Sequence, residues 1–213
     1  MPTTRPSQQL LACRRVVLDP VFVDGTQPPQ AAWNRVVARL QGILPGELVV
    51  HEPQWIMDPG QGLQLPEFGP HQVTLVFMPS SRKVHLGYFS RSGDGHQYVH
   101  LNKRKLERLA GPILRKKAWE LVMTHELGHA MGVPQDAGHD DGTSHCTNPR
   151  CVMYRCVDAK SLTAALFHGL PLDFCPQCQA ELTSAPLPGL QTATPSTAAA
   201  TGPQQGDNAM ATE

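Results

Sequence analysis

Two histidines flank a glutamate in the pentapeptide His125-Glu126-Leu127-Gly128-His129. Positions i and i+4 of a helix lie on one face, so both imidazoles can bind one metal ion, typically zinc. Glu126 directly follows the first histidine, where its carboxylate can polarise a metal-bound water and then pass the proton to a leaving amine. The pentapeptide is short enough to arise by chance, so the surrounding sequence must decide whether it carries this chemistry.

The residues that follow the pentapeptide favour a metal site. Gly132 comes three residues after His129, where a helix ends and a sharply turning chain often takes a positive φ. A turn at this point lets a third ligand come from beyond the helix. Further potential metal ligands, together with a methionine, follow at His145-Cys146, Cys151, Met153 and Cys175-Pro176-Gln177-Cys178.

These blocks, HELGHAMG, HC-x4-C-x-M and FCPQC-x3-L, resemble the archaemetzincins, a branch of the metzincin zinc peptidases. The resemblance covers roughly residues 118–182 and is specific, because two separate motif blocks coincide. It implies a zinc-dependent metallopeptidase, a hydrolase that cleaves peptide bonds in a peptide or protein substrate. It also implies two zinc ions per chain, one catalytic and one structural.

The resemblance gives each motif residue an expected role. His125, His129 and His145 would be the protein ligands of the catalytic zinc, and Glu126 would be the general base. Met153 would form the methionine turn, an apolar floor beneath these ligands. The structural zinc would be held by four thiolates, those of Cys146, Cys151, Cys175 and Cys178. The Cys-x2-Cys spacing of the last pair, with a second pair upstream, also suits a closed tetrahedral site.

The third histidine is where the sequence departs from the family pattern. The family keeps two residues between the helix-ending glycine and this histidine, whereas twelve residues, VPQDAGHDDGTS, separate Gly132 from His145. Gln135 occupies the usual ligand position, and the inserted stretch contains Asp136 and His139 as alternative third ligands. We favour His145 because its HC-x4-C-x-M context is intact.

The insertion leaves a second interpretation open, a catalytically inactive module of the same fold that binds two zinc ions and acts as a scaffold. Residues 82–117 carry ten Lys and Arg against two acids, and residues 118–183 carry eight acids against three Lys and Arg. In this interpretation the basic stretch would contact an acidic partner. It lacks the interleaved aromatic residues of a nucleic-acid-binding face, so a solvated helix face is simpler and no nucleic acid is expected.

Composition agrees with a metal-binding globular protein. The 213 residues include ten His and six Cys, the 18 basic and 18 acidic side chains balance, and a hydrophobic share of 40% suffices for a core. No apolar run approaches the roughly 18 residues of a membrane span, and no secretory signal is visible. We therefore expect a cytoplasmic protein without membrane contact, in which clustered cysteines bind metal and Cys13 and Cys156 are free thiols.

The elements that must position these residues follow from apolar periodicity. A helix is predicted from Pro28 or Pro29 to Leu44, and another from about 112 to 131, which carries the His-Glu-His motif after a break at Gly111-Pro112. Strands are predicted at 15–18, 47–51, 73–78, 84–90 and 97–102. This order predicts an α/β (α+β) fold, a metzincin-like mixed twisted sheet with a long zinc-binding helix and a small C-terminal zinc-stabilised subdomain. The resemblance also suggests that the strand at 97–102 borders the cleft.

The domain organisation is expected to be simple. Residues 1–9 form a flexible N-terminus, and 10–183 form an archaemetzincin-like metallopeptidase domain, divided into 10–132 with the active-site helix and 133–183 with the four-cysteine zinc site. Residues 184–213 are rich in Pro, Ala, Thr, Gly and Gln without Lys or Arg. Such a segment cannot bury enough apolar area to offset its ordering entropy, so it is predicted to be a disordered tail.

Overall fold

The computed structural model describes residues 15–57, 72–80, 85–93, 96–155, 169 and 171–184. The predictions for Cys13, Cys156, the N-terminal nine residues and positions 185–213 of the tail lie outside these ranges. The elements, in chain order, are β1 (Arg15–Val23), α1 (Gln30–Ile43), β2 (Glu47–Val50), β3 (Gln54–Ile56), β4 (Gln72–Met78), β5 (Gly87–Arg91), β6 (Gln97–Asn102), α2 (Lys103–Met131) and α3 (Pro176–Ser184). In the described part of the chain, no helix is both long and apolar enough to cross a membrane.

The strands form one mixed sheet in the order β2-β1-β4-β6-β5. β1 pairs in parallel with β2, β3 and β4, and β4 pairs in parallel with β6. β5 runs antiparallel to β6 and forms the edge of the sheet among the described strands. The mixed sheet that the element order predicted is therefore present.

Helices α1 and α2 cover one face of this sheet. Phe77 of β4 lies at their junction, with ring centroids 6.1 Å from Trp33 of α1 and 5.9 Å from Trp119 of α2. Alternate residues of β1, β4 and β6 point to the same side and join this core, as the period of two in a strand requires. The second half of α2 is buried here almost all round, so it is a core helix rather than an amphipathic surface helix.

The residue types at the start, the kink and the end of helix α2 explain why each of these features occurs there. The Asn102 side chain accepts a hydrogen bond from the backbone N–H of Lys105, which caps the first turn. Gly111 leaves the helical region with φ 60° and ψ −176°, just before Pro112, so the predicted break divides α2 into two helical segments. Gly132 ends the helix at φ 82°, and the N–H of Val133 donates to the carbonyl of Gly128.

The described residues between α2 and α3 are connected by isolated β-bridges rather than by strands. Cys146 forms isolated β-bridges to Asp140 and Tyr154, and its N–H donates to the carbonyl of Met153 at 2.9 Å. This segment carries most of the remaining candidate ligands, so its irregular backbone determines where their side chains lie.

Candidate metal centres

His125 and His129 face one another one turn apart on the buried half of α2. Their Nε2 atoms are 3.1 Å apart, and the His125 side chain is almost fully buried. The Nδ1–H of His125 donates to the carbonyl oxygen of Val152 at 2.8 Å, so its Nε2 carries the lone pair. Burial first and then the neighbouring imidazoles lower the pKa of His125 to about 4 and that of His129 to about 3, and the hydrogen bond to Val152 opposes the fall at His125. Both rings are therefore neutral at pH 7, the form that binds metal.

His145 completes a cluster with these two residues. Its ring centroid lies 5.3 Å from that of His125 and 5.0 Å from that of His129, and one nitrogen of each of the three rings lies within 4.8 Å of the others. We call His125, His129 and His145 the histidine cluster. Two histidines were considered as the third ligand. His145 lies beside His125 and His129, whereas His139 lies among the cysteines.

Two residues of the insertion orient His145. The Thr143 hydroxyl donates to Asp141 Oδ1 at 2.6 Å, so its oxygen is free to accept the Nδ1–H of His145 at 3.0 Å. This leaves Nε2 of His145 to face the other two rings. The Thr143 hydroxyl, as the largest cause, lowers the pKa of Asp141 and keeps it an acceptor. The sequence analysis missed both residues, and a threonine two positions before a candidate ligand was the only available signal.

Met153 lies directly beneath the histidine cluster. Its side chain is fully buried, and its sulfur would be 2.3 Å from a Cβ placed on Gly128, between the two helical histidines. Phe174 contacts the same position, where its Cε1 would be 3.1 Å from that Cβ. The absence of a side chain at Gly128 therefore allows the methionine to pack against the helix, in the place where the resemblance expects an apolar floor.

Glu126 is buried beside the cluster, under strand β5. Burial raises the pKa of its carboxyl to about 8, and a backbone hydrogen bond from Phe89 opposes that rise. Gly87 makes this approach possible, because a Cβ there would lie 2.8 Å from Glu126 Cγ and 2.8 Å from Val122 Cγ1. No sequence motif predicts that Gly87 or Phe89 belongs to the site.

A cleft of about 840 Å³ opens over Glu126 and the histidine cluster. One wall is β5, which contributes Gly87, Tyr88 and Phe89. The described lining also includes three cationic side chains, those of Lys105, Arg108 and Arg155. The expectation that the 97–102 strand borders the cleft is not met, because β6 lies inside the sheet between β4 and β5. The strand at the cleft is β5.

The four predicted cysteines form a second cluster, together with a histidine. Ligand atoms of four buried residues lie within 4.8 Å of one another, and these are His139, Cys146, Cys175 and Cys178. The sulfur of Cys151 lies 3.6 Å from that of Cys178 but is not part of this mutually close set. We call these five residues the cysteine cluster. The mutually close set thus differs from the expected four thiolates by one member, since His139 replaces Cys151.

Backbone amides surround the sulfurs of the cysteine cluster. Cys151 Sγ accepts the N–H of Cys175 at 3.3 Å and that of Met153 at 3.4 Å, and Cys146 Sγ accepts the N–H of Asn148 at 3.4 Å. A hydrogen bond from Cys178 is the largest cause of a fall in the pKa of Cys151, to about 5. Burial raises the pKa of Cys146, and the hydrogen bond to Cys151 raises that of Cys178, so the metal-free cluster stabilises one thiolate while its neighbours keep their protons.

The fold can now be compared with known structures. The chain is similar to the archaemetzincin of Methanopyrus kandleri, with a TM-score of 0.50 and 19% sequence identity over 80% of this chain and 94% of that one. At this identity the likeness establishes the fold, so the expected fold class is confirmed. No protein-family model matches the sequence, and no curated protein matches it.

Two further structures have lower TM-scores. The archaemetzincin of Archaeoglobus fulgidus, solved with malonate, has a TM-score of 0.44 and 17% identity over 78% of this chain and 99% of that one. A zinc-dependent peptidase from Methanocorpusculum labreanum has a TM-score of 0.43 and 17% identity over 78% of this chain and 100% of that one.

Proposed function

We propose that the protein is a zinc-dependent metallopeptidase. The observation that carries the proposal is the convergence of three imidazoles, two of them held neutral by burial, beside a buried carboxyl at one cleft. Three protein nitrogens with an open fourth position are the ligand set of a catalytic zinc. The archaemetzincin fold and the motif resemblance support the same function.

The roles of the site residues follow from their positions. His125, His129 and His145 would bind the catalytic zinc, which supplies a polarised carbonyl and a water of lowered pKa. Glu126 accepts the proton of the attacking water and donates it to the leaving nitrogen. Burial raises the pKa of Glu126 in the metal-free protein, and a zinc ion held by the adjacent histidines would lower it again, because its positive charge favours the carboxylate that accepts the proton. Met153 would act only as packing beneath the ligands.

The substrate is proposed to be a peptide or protein segment in extended form. β5 lies at the sheet edge and along the cleft, so its outward backbone groups can pair with a peptide as an added strand. Such pairing would lay the scissile carbonyl across the histidine cluster.

The decisive experiment replaces Glu126 with Gln, which keeps the shape of the side chain and removes its basicity. We expect zinc content to be unchanged and hydrolysis of a peptide library to fall by at least about 100-fold. The matched control is Glu107→Gln, on the half-exposed part of the same helix, which should retain wild-type activity. Full activity in the Glu126→Gln variant would contradict the role of the glutamate.

The alternative of an inactive two-zinc scaffold makes a different prediction. Wild-type protein with both metals bound would then hydrolyse no member of the library. Binding of an acidic partner would instead weaken strongly as ionic strength rises.

A further inference from the structure

We propose that His139 is a direct ligand of the metal ion in the cysteine cluster, and that Glu181 positions it for that role. His139 belongs to the twelve-residue stretch between Gly132 and His145 and has only 3% of its surface exposed. Its Nδ1 faces the sulfurs of Cys146 at 3.5 Å and Cys178 at 3.9 Å. Its Nε2 faces Glu181 Oε1 at 2.8 Å. The site would therefore take three thiolates and one imidazole.

The Glu181 carboxylate determines which nitrogen of His139 carries the proton. Its Oε2 accepts the backbone N–H of Gln135 at 2.9 Å, and its Oε1 accepts that of Asp136 at 2.7 Å. Both oxygens of Glu181 therefore act as acceptors in this arrangement. The His139 Nε2–H must therefore be the donor to Oε1, which leaves the lone pair of Nδ1 directed at the sulfurs. This is the carboxylate–histidine arrangement typical of metal sites.

The distances within the cluster fit one tetrahedral ion. With Zn–N of about 2.0–2.1 Å and Zn–S of about 2.3 Å, neighbouring ligand atoms lie about 3.6 Å apart for N and S, and about 3.8 Å for two sulfurs. The observed separations are 3.5 and 3.9 Å from Nδ1 to sulfur, 3.7 Å between the sulfurs of Cys146 and Cys175, and 3.6 Å between those of Cys151 and Cys178. Five donors are near a site that takes four, and Cys151 lies outside the mutually close set.

This ligand would give the insertion a structural purpose. His139 and Cys146 would bind the same ion seven residues apart, and the N–H of Thr147 also donates to the carbonyl of His139 at 2.8 Å. The intervening loop contains Thr143 and His145. A metal in the cysteine cluster would therefore hold both ends of the loop that delivers the third ligand of the histidine cluster.

Cobalt substitution tests the proposal independently of catalysis. Thiolate-to-cobalt charge-transfer absorption reports only the cysteine cluster, because the histidine cluster contains no sulfur. We expect His139→Ala to weaken cobalt binding at the sulfur-containing site by more than about 100-fold and to shift its ligand-field bands. Glu181→Gln should weaken the same binding about 10–100-fold. The control His129→Ala should leave these bands unchanged.

A second variant covers the case in which His139→Ala does not fold. His139→Cys keeps a metal ligand at the position, so it should bind cobalt with stronger charge-transfer absorption from a fourth thiolate. The proposal is overturned if His139→Cys has the wild-type spectrum and affinity while Cys151→Ser loses charge-transfer intensity. That result would assign the site to the four cysteines, with His139 outside it.

Discussion

Three of the four histidines in the two clusters each have a different oxygen atom that fixes the position of the ring proton. His125 donates to the Val152 carbonyl, His145 to the Thr143 hydroxyl and His139 to the Glu181 carboxylate. A ring whose one nitrogen is a committed donor presents the lone pair of the other in a fixed direction. The direction of each ring lone pair therefore depends on the oxygen atom that accepts the ring N–H as much as on the histidine itself.

The Thr143 hydroxyl provides a direct test at this scale. Thr143→Val keeps the shape of the side chain but removes the acceptor for the His145 Nδ1–H. We expect zinc affinity at the histidine cluster to fall about 10–100-fold, as for loss of other such supporting groups. Chelator competition measures the affinity. The control is Thr147→Val, whose side chain is exposed on the other side of Cys146, and equal affinities in the two variants would contradict the role of Thr143.

Glu126 predicts a pH effect in the metal-free protein. The carboxyl ionises near its ordinary pKa of 4.5 when unfolded but near 8 when folded. Between these values the folded state binds more protons than the unfolded state, so its stability falls as pH rises. Glu126→Gln removes this loss. The difference in free energy of unfolding between the variant and the wild type should therefore shift in favour of the variant by a few kcal/mol from pH 5 to pH 8. Urea denaturation with chelator measures the difference.

The same comparison contains its own control. The histidine pKa shifts are present in both proteins and cancel in the difference between them. Glu107→Gln should differ from wild type by the same small amount at both pH values, since its side chain is partly exposed. A difference for Glu126→Gln that does not change with pH would show that the carboxyl ionises normally.

At the scale of elements, the sequence predicts best where the signal is local. Three local features could be predicted from the sequence, because each depends on neighbouring residues: the kink at Gly111, the helix end at Gly132 and the His-Glu-His face. β1 runs on through Pro20, which pairs in register with Leu75, although proline normally argues against a strand. On the other side of β1 the pairing with β2 ends at Leu18 and the pairing with β3 begins at Val21, so the proline lies where that ladder is interrupted.

Other elements and contacts were not readable from the sequence. β3 lies in a Pro- and Gly-containing connection, and α3 is a short helix of nine residues after Cys175. The position of His139 depends on Glu181, 42 residues away. Spacing within one motif carries no information about such a contact, so an inserted histidine could not be assigned to either metal site in advance.

Gly128 tests how closely the helix and Met153 must pack. Gly128→Ala adds a methyl group that would lie 2.3 Å from the Met153 sulfur, in a fully buried position. Overpacking of this kind costs about 1–3 kcal/mol, which exceeds the gain of up to about 1 kcal/mol from better helix propensity. We expect lower stability and weaker zinc binding at the histidine cluster, measured by thermal unfolding and chelator competition.

Gly42 in α1 offers the matched control. A Cβ there meets no atom within 4 Å, so Gly42→Ala gains helix propensity without a clash. It should stabilise the protein by about 0.5–1 kcal/mol and leave zinc affinity unchanged. Stabilisation by both substitutions would show that Met153 can move away from the helix at little cost.

At the scale of the whole molecule, one arginine joins three separate parts of the chain. Arg39 of α1 contacts Glu120 of α2 at 2.7 Å, Thr124 beside His125 at 3.3 Å and Asp173 before the cysteine pair at 2.7 Å. The Glu120 side chain is only 3% exposed and is also paired with Arg35 at 2.7 Å. The two helices and the C-terminal segment are therefore connected through a buried charge, in addition to apolar packing.

Arg39→Met tests this connection, because it keeps the length of the apolar stem and removes the charge. Glu120 would remain buried with a half-exposed Arg35 as its partner, so we expect a loss of about 3 kcal/mol in the free energy of unfolding. The control is Arg15→Met at an exposed pair with Glu47, which should cost less than about 1 kcal/mol.

Adding Glu120→Leu to Arg39→Met should recover most of the loss, since a buried ion pair can be replaced by apolar residues more cheaply than it can be broken. If the double variant is no more stable than Arg39→Met, the loss of stability arises from the contacts to Thr124 and Asp173. The arginine would then act chiefly by holding the C-terminal segment against α2.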